Sequence, residues 1–169
     1  MRKLLFQTVA KKPLTEPTPV ADDPELLALA QKLKQKIDAT FAGSLAIRAV
    51  DAGSCNGCEL EIHALNNPLY DLERFGLKFV ASPRHADVLL VTGPVTQNMR
   101  EALQRTYDAT PAPKWVVAMG ACAGDGGVFA ESPDCLGGVE KVVPVDLFIP
   151  GCPPTPLTLI KGFLALVGA

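Results

Sequence analysis

No apolar run in this 169-residue chain comes near the roughly 20 residues that a membrane-spanning helix requires. A secretory leader is not expected either. The basic start, Met1-Arg2-Lys3, is followed only by Leu4-Leu5-Phe6 before polar Gln7 and Thr8, too short an apolar core for a signal. Neither sign of charge dominates. Sixteen Lys and Arg against eighteen Asp and Glu leave a net charge of −2, so neither nucleic acid nor an anionic membrane is favoured as a partner. No P-loop occurs, and Gly124-Asp125-Gly126-Gly127 lacks GxGxxG spacing, so nucleotide binding is not indicated. Aromatic residues are sparse at 6%, and the 48% apolar share is carried by Val, Leu, Ala and Ile. Such a composition suits strands buried on both faces of a parallel α/β sheet.

What is present is cysteine, five in number. An odd count without a leader points to the cytoplasm, where disulfides are rare and cysteines more often bind metal. Four of them fall in three short loops: Gly53-Ser54-Cys55-Asn56-Gly57-Cys58-Glu59, Gly120-Ala121-Cys122-Ala123-Gly124 and Pro150-Gly151-Cys152-Pro153-Pro154. Thiolates are the soft ligands of iron–sulfur clusters and of zinc. Glycine lets backbone approach a bound group closely, and proline stiffens the turn. Structural zinc usually takes two C-x₂₋₄-C pairs, whereas here one pair joins two distant singles. A thioredoxin-like dithiol needs its C-x-x-C alone and no Cys122 or Cys152. The spacing favours a [4Fe–4S] cluster, with zinc and a redox dithiol as rivals. Cysteine as a small hydrophobe fits Cys135 better, because no strand is expected before its loop.

The expected fold is α/β, with strands alternating with helices in βαβ units. Strands are expected at Leu45–Val50, Lys78–Ala81, Asp87–Thr92 and Trp115–Met119, with a last extended segment over Val142–Val143 and Val145–Ile149. Helices are expected at Glu59–Leu65, Gln97–Tyr107 and Thr155–Val167, the last with Pro156 in its first turn. Residues 1–23 read as an irregular arm that orders against a partner. From Pro24 onward Leu26, Ala30, Leu33 and Ile37 mark an amphipathic helix, with Asp23 as its N-cap. Its stripe would pack on its own domain or dock another subunit. The division is therefore 1–44, arm and docking helix, and 45–169, the cluster domain. In parallel sheets ligands sit beyond the carboxyl ends of the strands, and each cysteine loop directly follows an expected strand.

Four segments carry a resemblance. They are Gly53 to Glu59, Ser82-Pro83-Arg84-His85-Ala86-Asp87 continuing to Val95, Gly120 to Gly124, and Val143-Pro144-Val145-Asp146 continuing to Pro154. Over residues 45–165 the chain resembles the small subunit of group 4, membrane-bound, energy-converting [NiFe]-hydrogenases of the formate hydrogenlyase, hydrogenase-4 and CO-induced types. That family is related to the 20 kDa subunit of NADH:quinone oxidoreductase, complex I. The resemblance implies a flavodoxin-like parallel sheet and one [4Fe–4S] cluster on Cys55, Cys58, Cys122 and Cys152. It also implies electron transfer between a ferredoxin-like iron–sulfur subunit and a nickel–iron large subunit, within a complex that includes membrane subunits. The chain would lie peripherally on the cytoplasmic face of the inner membrane. Complex I relatives usually carry adjacent cysteines where this chain has Cys55-Asn56-Gly57-Cys58, which favours the hydrogenase branch. The alternative is a complex I-like or sulfur-reducing membrane complex. Periplasmic uptake hydrogenases carry a twin-arginine leader and further clusters; here 17 residues follow Cys152, and a single cluster is expected.

Other residues carry weaker signals. Glu59 starts a helix, where a carboxylate is favoured by the helix N-terminus. By resemblance it is also a candidate for hydrogen bonding near the cluster or for proton relay. Arg84 and His85 precede a strand, at the end opposite the cysteines, and read as a polar loop or subunit contact. His63 reads as a packed or solvated helix residue, although an imidazole near a cluster could couple proton and electron uptake. Asp146 reads as a local hydrogen-bonding residue.

Overall fold

The computed structural model describes residues 24–41 and 43–168. The arm over 1–23 and the Asp23 cap lie outside the described residues. Five strands form one all-parallel sheet: β1 (Leu45–Asp51), β2 (Leu77–Phe79), β3 (Val88–Thr92), β4 (Trp115–Met119) and β5 (Leu147–Ile149), in the order β2-β1-β3-β4-β5. This is the order of the flavodoxin-like doubly wound sheet. Strand β3 shows why it is central. Val88 and Leu90 enter the core on one face, Leu89 and Val91 the core on the other, and every residue of the strand is buried. The apolar run Val88–Val91, alternating between the two faces, places it between two layers.

One layer holds α1 (Pro24–Phe41), α2 (Gly57–Leu65) and α5 (Pro156–Gly168); α3 (Gln97–Ala109) lies on the other face. In α1 the stripe Leu26, Ala30, Leu33 and Ile37 is buried in the same core as Leu159, Ile160 and Phe163 of α5. Each large side chain so buried contributes about 1.5–3 kcal/mol. The Glu25–Lys161 ion pair across the two helices, 2.7 Å, is half exposed and adds little. The apolar stripe is thus occupied by the chain's own domain. A break at 44/45 does not separate two cores, and the stripe is not offered to another subunit.

Most boundaries fall within two residues of expectation, but the last strand does not. The extended segment expected from Val142 shrinks to Leu147–Ile149, preceded by a 3₁₀ turn at Val139–Lys141. Pro144 has no N–H to give to a ladder. Asp146 donates its N–H to the Val116 carbonyl at 2.9 Å while its carboxylate accepts the Val116 N–H at 2.7 Å, so a side chain stands where a backbone acceptor would, and the regular ladder starts at Leu147, opposite Val117. Val143 turns instead into the core on the α3 face.

Candidate metal centre

Three strands deliver the four cysteines to one edge. After β1, the Asp51 carboxylate accepts the N–H groups of Gly53 and Ser54, both at 2.7 Å, closing a tight turn. Asn56 then takes a left-handed φ of 70° and α2 begins at Gly57, two residues earlier than expected. Cys58 therefore stands in the first turn of the helix, half-buried, with its thiol 3.9 Å from the Met119 carbonyl. After β4, Gly120 leads into α4 (Ala121–Asp125). Cys122 is buried in this short helix rather than in an open loop. After β5, Gly151 leads to exposed Cys152, whose bond to Pro153 is cis. The Ala121 N–H donates to the Gly151 carbonyl at 2.8 Å, tying the Cys122 and Cys152 segments together.

Cys55, Cys58, Cys122 and Cys152 line a single cavity of about 150 Å³, together with Gly93, Gly151 and Pro153. Backbone presses on the thiols from two sides. A Cβ added at Gly120 or at Gly127 would lie 2.9 Å from the Cys58 or the Cys122 sulfur, respectively. Two larger depressions, one of about 360 Å³ beside Asp125, Glu140 and Phe148 and one of about 380 Å³ beside Arg100 and Lys141, contain no thiol. Among the described residues no three His, Cys, Asp or Glu side chains are gathered closely enough to hold a metal ion.

The thiols sense one another. Burial pushes the Cys58 thiol up to about 12, with further upward pressure from Glu59, Cys122, Cys55 and Cys152. Burial also raises Cys122, with Cys152 and Cys55 adding repulsion and a backbone hydrogen bond from Val128 opposing it. Without a cation the site resists carrying several thiolates at once.

Glu59 lies beside this cavity with both oxygens occupied, one accepting from Ser54 Oγ and the other from Thr92 Oγ1. His63 is exposed one turn further along α2. Arg84 and His85 form an exposed 3₁₀ turn at the amino end of β3, away from the cysteines. Cys135 stays outside the cavity, its sulfur accepting the Gly137 N–H at 3.3 Å. Sequence reasoning missed Thr92, Gly93 and Gly127. Gly127 stands out in the sequence only as the end of a glycine loop without phosphate-binding spacing. Gly93, placed directly after a strong strand, gave a readable signal of close backbone approach.

No helix among the described residues is long and apolar enough to cross a membrane. Subunit 7 of Escherichia coli formate hydrogenlyase is 45% identical over 152 residues, covering 90% of this chain; the chain spans 58% of the length of that relative. A probable membrane-bound hydrogenase subunit of Pyrococcus furiosus is 54% identical over 67% of this chain and 68% of its own length. An NADH-quinone oxidoreductase subunit of Heliobacterium modesticaldum is 47% identical over 64% of this chain and 63% of its own length. Among solved structures, the membrane-bound sulfane sulfur reductase, an archaeal respiratory membrane complex, contains a chain matching with a TM-score of 0.66 and 34% identity, over 86% of this chain and 75% of that one. The model of the NADH ubiquinone oxidoreductase 20 Kd subunit family matches residues 55–166, a span running from the first cavity cysteine past the last, and the chain belongs to that family.

Proposed function

We propose that the chain is the electron-transfer small subunit of a membrane-associated [NiFe]-hydrogenase complex. It would hold one [4Fe–4S] cluster through Cys55, Cys58, Cys122 and Cys152, between a ferredoxin-like subunit and the nickel–iron large subunit. The observation that carries this reading is the convergence of four thiols from three strand ends on one small cavity. The donor set is all sulfur, as soft clusters prefer. Zinc bound at about 2.3 Å would need its sulfurs within about 4 Å of one another. Here one C-x-x-C pair joins two distant single cysteines around a cavity of about 150 Å³, a pattern that suits a multi-iron centre better than the paired knuckles of structural zinc.

Such a cluster, when bound, stores and passes single electrons. The chain's own residues position and shield it. Cys122 and Cys58 supply buried and half-buried ligands, while Cys55 and Cys152 stand at the exposed mouth, the side from which partner subunits would close the site. Glu59, held by Ser54 and Thr92, would be the carboxylate that relays protons towards a partner. It performs no bond chemistry alone. The chain would sit peripherally in a membrane complex, as the likeness to membrane-bound relatives suggests, on the cytoplasmic face that the resemblance to the hydrogenase family implies.

A second reading, a complex I-like or sulfur-reducing complex without nickel, is favoured by the likeness to the sulfane sulfur reductase chain and to the quinone oxidoreductase subunit. The test is purification of the intact complex through a tag on this subunit, with metal analysis and EPR of the reduced sample. Stoichiometric nickel and a [4Fe–4S] signal lost in Cys152→Ser but kept in Cys135→Ser are expected. A cluster without nickel moves the assignment to the second reading, and zinc with no cluster overturns both.

A further inference from the structure

We propose that Thr92 is a positioning residue for the metal centre: acting through Glu59, its hydroxyl staples the Cys55–Cys58 loop to the end of β3. This deepens, and rests on, the cluster reading above.

Thr92 and Thr110 are the buried polar residues of the described core, 1% and 2% exposed. Thr110 is accounted for locally, since its hydroxyl donates to the Thr106 carbonyl at 2.9 Å. Thr92 is not. It ends a strand that otherwise reads Val88-Leu89-Leu90-Val91, where valine would fill the same volume without a hydroxyl to desolvate. A buried hydroxyl is costly unless bonded. Its carboxylate partner is Glu59, on a different element. The second Glu59 oxygen accepts from Ser54 Oγ. Ser54 Oγ in turn accepts the Asn56 N–H at 2.9 Å, inside the Cys55-Asn56-Gly57-Cys58 turn. Three hydrogen bonds thus run from the sheet to the backbone between two ligand cysteines.

The anchor end of this chain is rigid. β3 is paired on both sides, with β1 and with β4. The ligand end is the exposed part of the site, with Cys55 and Asn56 open to solvent. Groups that orient ligands tune the bound metal, so a tether from a strand paired on both sides to an exposed ligand loop acts on the centre without touching it.

The experiment compares Thr92→Val and Thr92→Ser in the intact purified complex. The first keeps shape and removes the hydroxyl; the second keeps the hydroxyl. Hydrogen exchange of the 52–58 peptide, the EPR spectrum and the cluster midpoint potential are measured for each. Thr92→Val should speed exchange in that peptide by about 10- to 100-fold, as loss of a hydrogen bond to a charged group implies, and should shift spectrum and potential. Thr92→Ser should restore wild-type values of all three. Wild-type exchange and spectrum in Thr92→Val overturn the inference. So do equal shifts in Val and Ser variants, which would show that packing rather than the hydroxyl matters. If Thr92→Val does not assemble, Glu59→Gln reads the same staple, and a wild-type spectrum there overturns it. A wild-type complex with no cluster signal overturns the parent reading and this inference together.

Discussion

Replacing Gly120 with alanine separates a cradle built for the thiols from a loop that merely contains glycine. Gly120 sits at φ 87°, ψ 160°, a region essentially reserved for glycine, where another residue costs about 1–3 kcal/mol. The added Cβ would also lie 2.9 Å from the Cys58 sulfur and 3.4 Å from the Gly151 carbonyl. The carbonyl is fixed, because it accepts the Ala121 N–H, so it is the thiol that must leave. At 1.4 kcal/mol per decade, the strain alone raises local opening of the 120–125 segment by about 5- to 150-fold. Hydrogen exchange of the purified complex reads that opening, and iron per complex should fall with it. Gly124→Ala is the control. Its Cβ would approach the Phe148 ring to 2.7 Å, but that ring is 46% exposed and can turn aside, so protection and iron should stay near wild type. Equal protection and equal iron in Gly120→Ala would refute the reasoning. So would equal losses in both variants.

The raised Cys58 thiol makes a second test in the metal-free protein. A shift from the ordinary 9.0 to about 12 lowers the thiolate fraction at pH 8 by about a thousandfold, and the greater nucleophilicity of a high-pKa thiolate recovers part of that. Alkylation of Cys58, followed by mass spectrometry, should therefore run about 50-fold slower than for the same residue in denaturant; equal rates would contradict the burial argument. The linkage has a definite sign: the native state keeps a proton that the unfolded chain releases, so this group's contribution is intact below pH 9 and is lost as pH rises towards 12. At the other edge of the sheet, Asp146→Ala leaves the buried Val116 N–H unpaired, at about 1–3 kcal/mol. Melting should drop by about 2–12 °C, Asp146→Asn should recover most of it, and the EPR spectrum of the complex should not change in either variant.

Strands, helices and the four thiols were legible because they rest on local pattern. Asp87 to Thr92 is an apolar run bounded by turns, and each cysteine loop follows such a run. The fate of α1 was not legible, because an apolar stripe states that it will be buried and not against what. Leu26, Ala30, Leu33 and Ile37 found α5 of their own domain. The shortened β5 turned on a tertiary event, the Asp146 carboxylate occupying the Val116 N–H, which no periodicity announces. Thr92 was hidden for the same reason. A threonine at a strand end is ordinary until its partner, Glu59, is seen to come from another element. Local chemistry is written along the chain, whereas hydrogen bonds between elements become visible only once the strands are in order.

That order also explains the architecture of the site. In a parallel sheet every strand delivers its carboxyl end to the same edge, so cysteines far apart in the chain converge without any special loop path. The thiols come from β1, β4 and β5, but β3 lies between β1 and β4. β3 contributes no ligand yet ends among strands that do, and whatever follows it must stay out of the way. It is followed by Gly93, at φ 74°, where a Cβ would lie 2.5 Å from the Ser54 nitrogen. Any side chain there would push the first ligand loop off the sheet. The intervening strand thus gives room at Gly93 and a hydroxyl anchor at Thr92, one residue earlier. Those two adjacent positions convert a gap in the ligand set into the floor on which the Cys55–Cys58 loop is held.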